Sequence, residues 1–220
     1  MSKKINFKIA GLPRAQGLYN PINEHDACGV GLVLDIKNRP SFDIVEKGLA
    51  MLCNLEHRGA VGADPKAGDG SGLLIQIPHK FLKKKVSDSF SIPNQGEYAV
   101  GVFFIPNNTD NENKIKKLIE EVCLKEKINI LGWRLCPTYT KELGWSVLPS
   151  TPIVYQLFLE KPDSEKSQDD FEKKLYILRR CIEKEILEIS NQLQEGFYIP
   201  SLSSRTILYK GMVLADQVGG

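Results

Sequence analysis

The sequence predicts a mixed α/β domain, because strand-like stretches and amphipathic helical stretches follow one another along the chain. Short apolar runs that stop at proline, such as residues 98–105 before Pro106, are typical of buried strands. Two longer segments repeat apolar residues at steps of three and four, which indicates helices with one buried face. The 220 residues, 42% of them hydrophobic, are enough to build a core.

The composition excludes several classes of protein. A formal net charge of +2 and an ordinary apolar fraction exclude a disordered chain and give no support to a nucleic-acid partner. No stretch approaches the roughly 18 apolar residues of a membrane span. Five cysteines without a CxxC spacing argue against a disulfide framework and against a zinc site. The N-terminus lacks the apolar core of a signal peptide, so the cytoplasm is the predicted location.

The first predicted elements are a strand and a helix. Residues 28–36 are apolar and glycine-containing, which predicts a buried strand. Ser41 can cap the helix that follows, and Gly59 suits its C-terminal cap. Apolar residues at helical spacing define the buried face of this helix, namely Phe42, Val45, Leu49 and Leu52.

The rest of the chain predicts further strands and helices around one long loop. Residues 59–72 form a glycine-rich loop, and loops of this length inside a compact domain are usually functional or mobile. The predicted strands are 73–77, 98–105, 129–135, 152–160 and 205–210. The predicted helices are a short basic one at 79–85 and two amphipathic ones around 115–123 and 171–189.

Cys28 is the first candidate for chemistry. It opens the predicted strand, and the glycines at 29 and 31 would let a ligand approach the backbone closely. A thiol in this position can act as a nucleophile, but most free cysteines are inert core residues, and both interpretations remain open at this point. No side-chain base is evident from the spacing. Cleavage before Cys28 would provide an α-amino group that titrates near about pH 8 and can serve as the base.

The second candidate is the glycine-rich loop with the arginine that precedes it. Arg58 and Gly59 leave the predicted helix, and an arginine there can bind a carboxylate or organise the backbone around it. Asp64 and Asp69 can be acid–base residues or turn formers. Residues 68–72 do not form a phosphate loop, because no Gly-Lys-Ser/Thr follows and the next element is a strand.

Four motifs in the sequence are similar to the N-terminal region of the glutamate synthase large subunit. They occupy residues 19–31, 55–60, 63–72 and 203–212, so that the resemblance extends from about residue 19 to residue 216. That region of the family is a class II glutamine amidotransferase, an N-terminal-nucleophile hydrolase. The resemblance therefore implies an α+β fold, an αββα sandwich of two stacked antiparallel sheets between helix layers, here incomplete.

The resemblance also implies a mechanism and a division of the chain. Residues 1–27 resemble a leader or propeptide, and residues 28–220 the N-terminal part of the amidotransferase domain. The Cys28 thiol, with its own amine shuttling protons, would attack the side-chain amide of L-glutamine through a thioester, releasing glutamate and ammonia. Arg58 and Gly59 match residues that support the nucleophile. The family's His-x-Arg-Phe-Ser-Thr-Asn motif is missing here, so this segment alone is expected to be inactive.

Cofactors and partners follow from the same resemblance. FMN and an iron–sulfur cluster belong to downstream domains of the family, and no cofactor is expected in this segment. The expected partners are L-glutamine, the downstream synthase domains, and a small reductase subunit or ferredoxin, with the plastid stroma as the location in a photosynthetic eukaryote. Two alternatives are an amidotransferase domain of another synthase, and a non-catalytic binding module with Cys28 as a core thiol.

Overall fold

The structure, a computed structural model, describes residues 15–17, 20, 28–56, 63–189 and 196–219. The helices in these ranges are α1 Phe42–Asn54, α2 His79–Val86, α3 Thr109–Lys125 and α4 Gln168–Ile189. The strands are β1 Ser71–Gln76, β2 Tyr98–Ile105, β3 Ile130–Leu135, β4 Ile153–Glu160, β5 Tyr198–Ser203 and β6 Thr206–Gly211. None of the described helices is long and apolar enough to cross a membrane.

Four of the strands form an antiparallel sheet in the order β3-β4-β2-β5. The central strand β2 is an uninterrupted apolar run, and its side chains alternate between two hydrophobic cores. Ala99, Phe103 and Ile105 point into one core, while Val100 and Val102 point into the other. Because both faces of the sheet are covered at β2, this strand has no polar side to present to water.

Helices α3 and α4 cover one face of the four-stranded sheet. The apolar stripe of α4 is almost fully buried there, at Phe171, Leu175, Leu178, Ile182 and Ile186. Asn108 caps α3, since its Oδ1 accepts from the backbone N–H groups of Asp110 at 3.0 Å and Asn111 at 3.2 Å. The apolar stripes that predicted α3 and α4 are thus the faces that pack against the sheet, and the two helices form one layer.

The other face of this sheet meets a two-stranded antiparallel sheet made of β1 and β6. The core between the sheets includes Leu82 of α2, Phe158 of β4 and Ile207 of β6. Helix α1 packs against β1, where an added Cβ at Gly48 would lie 3.0 Å from Leu73. The layers are therefore helix, sheet, sheet, helix, which confirms the α+β sandwich expected from the resemblance.

The chain passes from one sheet to the other between β5 and β6, and Glu172 of α4 stabilises this connection through hydrogen bonds. Its Oε1 accepts from the hydroxyl of Ser203 at 3.1 Å, and from both the backbone N–H and the hydroxyl of Ser204 at 2.6 Å. Ser204 is buried, so its polar groups need these partners. Arg205 pairs with Asp169 at the solvent side of the same turn.

The expectation of a buried strand over residues 28–36 is wrong in the described structure. These residues form no ladder with any described strand, and their apolar side chains are exposed, including Val30 and Ile36 at more than 90%. A strand is stabilised by pairing with a neighbour, so an apolar run alone does not produce one. The sequence of this segment does not supply that neighbour.

Two details of α1 also differ from the expectation. Ser41 is the N-cap residue, but its side chain accepts no capping hydrogen bond, and Phe42 is 70% exposed rather than part of the buried face. The helix ends at Asn54 with Leu55 as its C-cap. Gly59, the expected cap, lies outside the described residues.

Strand β5 was not among the predicted strands, and Pro200 lies within it. Proline cannot donate to a ladder and is confined to edge strands and bulges. Both conditions hold here: β5 is an edge strand, and its register with β2 shifts between Val102 and Phe104, opposite the proline. The edge position and the irregular register together make the strand possible.

We expect Glu172→Ala to lower the free energy of unfolding by about 2 kcal/mol, because it removes a charged acceptor from three donors on two buried serines. Urea unfolding of the protein measures this change. Glu188→Ala is the matched control on the same helix, since Glu188 makes only an exposed ion pair with Lys184 and should change stability by less than about 0.5 kcal/mol. Equal effects of the two substitutions would contradict the role of Glu172.

Candidate active site

The thiol of Cys28 is exposed and forms no disulfide. It follows directly on residues 21–27, which lie outside the described structure. A thiol packed in a hydrophobic core would be buried, as Cys123 is, so exposure does not fit the alternative in which Cys28 only fills a core. The sulfur is open to a ligand from solution.

The segment that follows Cys28 is placed against α1 by a glycine. A Cβ built at Gly31 would lie 2.2 Å from the sulfur and 2.7 Å from the methyl carbon of Met51, so any side chain there would displace the methionine. Three residues span at most about 11 Å. Cys28 therefore lies within that distance of the point where the backbone contacts α1.

A turn fixes the far end of the same segment. The carboxylate of Asp35 accepts from the backbone N–H of Lys37 at 2.7 Å and from the guanidinium of Arg39 at 3.0 and 2.8 Å. This ion pair holds the pKa of Asp35 below its ordinary value. Asn38 adopts a φ of 52° and accepts a hydrogen bond from Gln76 at the end of β1. The segment is thus attached to α1 at one end and to β1 at the other.

The structure describes Cys28 but not the other two predicted site residues. Arg58 and Gly59 lie in the range 57–62, outside the described residues. The glycine-rich loop is described from residue 63 onward. It begins with Asp64, one of the two aspartates for which acid–base chemistry and turn formation were both open.

Asp64 is a buried acceptor whose oxygens hold two loops together. Its side chain is 5% exposed, and its Oδ2 accepts from the backbone N–H and the hydroxyl of Ser146, both at 2.8 Å. Its Oδ1 accepts from the backbone N–H of Lys66 at 3.1 Å. The backbone N–H of Ser146 contributes most to holding the pKa of Asp64 below its ordinary value, so the group is a carboxylate at neutral pH. These contacts favour the turn-forming interpretation over the acid–base one.

Close backbone approach makes glycine necessary on both sides of Asp64. A Cβ at Gly144 would lie 2.4 Å from Oδ2 of Asp64, and a Cβ at Gly68 would lie 2.8 Å from the carbonyl oxygen of Val213. A lysine–glutamate pair, Lys66 and Glu142, spans the same two loops at the surface. Glycine therefore leaves room for the Asp64 carboxylate at position 144 and for the Val213 backbone at position 68.

A third segment joins them through Gln217. Its Nε2 donates to the carbonyl oxygens of Glu142 at 2.6 Å and Lys66 at 3.3 Å, while its Oε1 accepts from the backbone N–H of Leu214 at 2.8 Å. We call the contact of segments 64–68, 142–146 and 213–217 the loop junction. It fixes the described part of the glycine-rich loop, which leads directly into β1.

The loop junction could not be found from the sequence. Ser146 and Gln217 are ordinary polar residues without a motif, and Asp64 contacts Ser146 across 82 positions of the chain. Gly68, a member of the glycine-rich loop, gave a signal, since glycine is common where backbones approach closely, whereas Gly144 belongs to no sequence motif. Among the residues that the structure describes, no group of three or more histidine, cysteine, aspartate or glutamate side chains could hold a metal ion.

A family model described as class-II glutamine amidotransferases matches residues 28–220. The chain is 42% identical over 209 residues to the glutamate synthase [NADPH] large chain of Bacillus subtilis. It is 38% identical over 217 residues to the glutamate synthase [NADH] of Saccharomyces cerevisiae, and 36% identical over 207 residues to the chloroplastic ferredoxin-dependent glutamate synthase of Oryza sativa.

These alignments cover nearly all of this chain and a small part of each relative. Each of the three covers 94% of the chain, but only 13%, 10% and 13% of the relatives in the order given. The chain thus spans about a tenth of the length of the proteins that it matches. The similarity reaches both the segment after Cys28 and the last strands.

We expect Asp64→Asn to destabilise the protein at pH 7 more than Asp69→Asn, because an amide cannot accept all the hydrogen bonds that the carboxylate accepts. Asp69 is the matched control, an exposed aspartate of the same loop. Since folding lowers the pKa of Asp64, its contribution is fully present above about pH 4 and is lost as the pH falls through the lowered pKa.

Thermal unfolding at pH 7 and at pH 3 measures both effects. The difference in melting temperature between the wild-type protein and Asp64→Asn should narrow at the lower pH. A difference that is the same at both pH values would show that the carboxylate charge of Asp64 is not what holds the loop junction together.

Proposed function

Because the chain belongs to the class-II glutamine amidotransferase family, we propose that it forms the glutamine-hydrolysing part of a glutamate synthase. The observation that carries the proposal is the exposed thiol of Cys28, the residue at which the family match begins. An accessible thiol is the nucleophile that amide hydrolysis through a thioester requires. The identity to three glutamate synthases, which differ in their named electron donors, supports this synthase as the host protein.

In the proposed mechanism, residues 1–27 are removed and Cys28 becomes the N-terminal residue. Its α-amino group, with an ordinary pKa of about 8, takes the proton of the thiol. The sulfur then attacks the side-chain amide carbon of L-glutamine, and the ammonium group returns the proton to the leaving nitrogen. Ammonia departs, a γ-glutamyl thioester remains, and water attacks it to release glutamate and restore the thiol.

The surroundings of Cys28 support this chemistry by holding its segment in place. The contact at Gly31 and the Asp35 turn attach the residues after the nucleophile to α1 and β1. Positional precision of this kind matters, because a displacement of about 1 Å can cost on the order of 100-fold in rate. We further propose that Arg58 and Gly59 support the site, and that the loop junction fixes the chain shortly after them.

We propose that the ammonia passes to the rest of a full-length synthase and is used there to make glutamate from 2-oxoglutarate. FMN and an iron–sulfur cluster would belong to that remainder, with a small reductase subunit or ferredoxin as the source of electrons. We place the protein in the cytoplasm, or in the plastid stroma in a photosynthetic eukaryote.

We expect Cys28→Ala in the full-length enzyme to reduce glutamine-dependent glutamate synthesis by at least about 10³-fold, because the nucleophile is lost. Ammonia-dependent synthesis should remain, since it bypasses the thioester. Steady-state assays with each nitrogen source measure the two rates. Cys53→Ala is the matched control, an exposed free thiol on α1 that should leave both rates unchanged. Loss of both activities in Cys28→Ala would count against the proposal.

We also expect the active full-length enzyme to begin at Cys28, because the proposed base is the α-amino group of that residue. Intact-mass measurement together with N-terminal sequencing tests this expectation. The N-terminus of the Cys28→Ala enzyme is determined in the same way, so that removal of residues 1–27 is compared with and without the Cys28 thiol. An active wild-type enzyme that retains residues 1–27 would rule out the terminal-amine mechanism while leaving the family membership unaffected.

A further inference from the structure

A row of polar side chains crosses the inner face of the four-stranded sheet, where hydrophobic residues would be expected. Strand pairing places Arg134 of β3 opposite Gln156 of β4, Gln156 opposite Val102 of β2, and Val102 opposite Ser201 of β5. The face is the one that meets the two-stranded sheet, because Val102 belongs to the core between the sheets. Ser201 is satisfied there, since its hydroxyl oxygen accepts from the backbone N–H of Leu208 at 3.1 Å.

The hydrogen bonds of Gln156 have only one consistent direction. Gln156 is fully buried, and its Oε1 accepts from Nη1 of Arg134 at 2.7 Å. Arginine can only donate, so this contact fixes the amide oxygen on the arginine side and turns the amide nitrogen to the hydroxyl of Tyr209, at 3.1 Å. The tyrosine oxygen accepts that bond. Its own O–H hydrogen must therefore point to a different acceptor.

Arg134 likewise has donors left over. Its Nη1 contacts Gln156 and, at 3.6 Å, the sulfur of Cys136, and it takes part in none of the ion pairs found among the described residues. A guanidinium group has five N–H donors, so those of Nε and Nη2 have no partner among the described residues, on a side chain that is only partly buried. Burial raises the pKa of the Cys136 thiol and of the Tyr209 hydroxyl, so neither neighbour ionises near neutral pH to balance the positive charge.

We propose that Arg134 and Tyr209 form a binding site for one carboxylate group, with Gln156 orienting both. The free Nε–Nη2 edge of the guanidinium can donate to both oxygens of a carboxylate, and the tyrosine hydroxyl adds a further donor. The neutral thiol and phenol leave a site charge of one, which matches a single carboxylate rather than a doubly charged phosphate. Two kinds of molecule can supply this carboxylate group: a small carboxylate in solution, or an aspartate or glutamate side chain from elsewhere in the full-length protein.

The first arm of the test compares sodium acetate with sodium chloride at equal ionic strength, using thermal unfolding of the full-length protein. If a small carboxylate is the ligand, acetate raises the melting temperature above that in chloride, and Arg134→Gln and Tyr209→Phe each abolish that difference. Arg180→Gln is the matched control, because Arg180 is an exposed arginine paired with Glu183 on α4, and it should keep the whole acetate effect.

The second arm detects an internal partner by carbodiimide labelling of carboxyl groups and mass spectrometry. If an acidic side chain occupies the site, acetate has no specific effect, and the same aspartate or glutamate gains label in Arg134→Gln and in Tyr209→Phe but not in Arg180→Gln. If the Arg134→Gln protein does not fold, the test relies on Tyr209→Phe, which removes only the hydroxyl oxygen. The proposal is overturned if neither the acetate effect nor the labelling depends on Arg134 and Tyr209.

Discussion

Strand β2 must bury both of its faces, and the arrangement of the other elements depends on this constraint. Its eight residues carry no charge, and those facing α3 and α4 are as well covered as those facing the two-stranded sheet. Burying an apolar side chain is worth about 1.5–3 kcal/mol, so leaving either face open would be costly. One layer of helices and one further sheet cover the two sides of β2, and α1, which packs on β1 of the second sheet, adds the fourth layer.

A chain that covers both faces of one sheet has to pass around its edge, and it does so between β5 and β6. Only Ser204 and Arg205 connect the two strands, and the hydroxyl oxygen of Ser203 at the end of β5 accepts from the backbone N–H groups of Arg205 and Thr206. Glu172 of α4 accepts in turn from the hydroxyl of Ser203 and from the backbone N–H and hydroxyl of Ser204. A residue of the helix layer thereby fixes where the second sheet begins, and through the pairing of β6 with β1 it also fixes the strand that follows the glycine-rich loop.

The sequence allowed most elements of the fold to be predicted, because their patterns are local. Strand β2 was predicted with its observed bounds from an apolar run that ends at Pro106, and α4 from a stripe that continues over five turns. The predictions that failed concern segments whose structure depends on how they pair with a neighbouring strand. Residues 28–36 form an apolar run but have no described neighbour to pair with, and β5 tolerates Pro200 because of its edge position and its irregular register. For the candidate site, Cys28 was visible in the sequence, whereas the loop junction depends on contacts between distant residues.

Asp64 and Arg134 are charged side chains whose hydrogen bonds are satisfied to different extents within the described residues. Asp64 is buried, and its two oxygens accept from the backbone N–H and hydroxyl of Ser146 and from the backbone N–H of Lys66. Arg134 is partly buried at the inner face of the four-stranded sheet, with Gln156 and Cys136 as its only described acceptors. Asp64 is therefore a completed structural contact, whereas Arg134 retains donors for a further acceptor. The direction of the Gln156 hydrogen bonds leaves the hydrogen of the Tyr209 hydroxyl available to the same acceptor, which is the carboxylate that we propose.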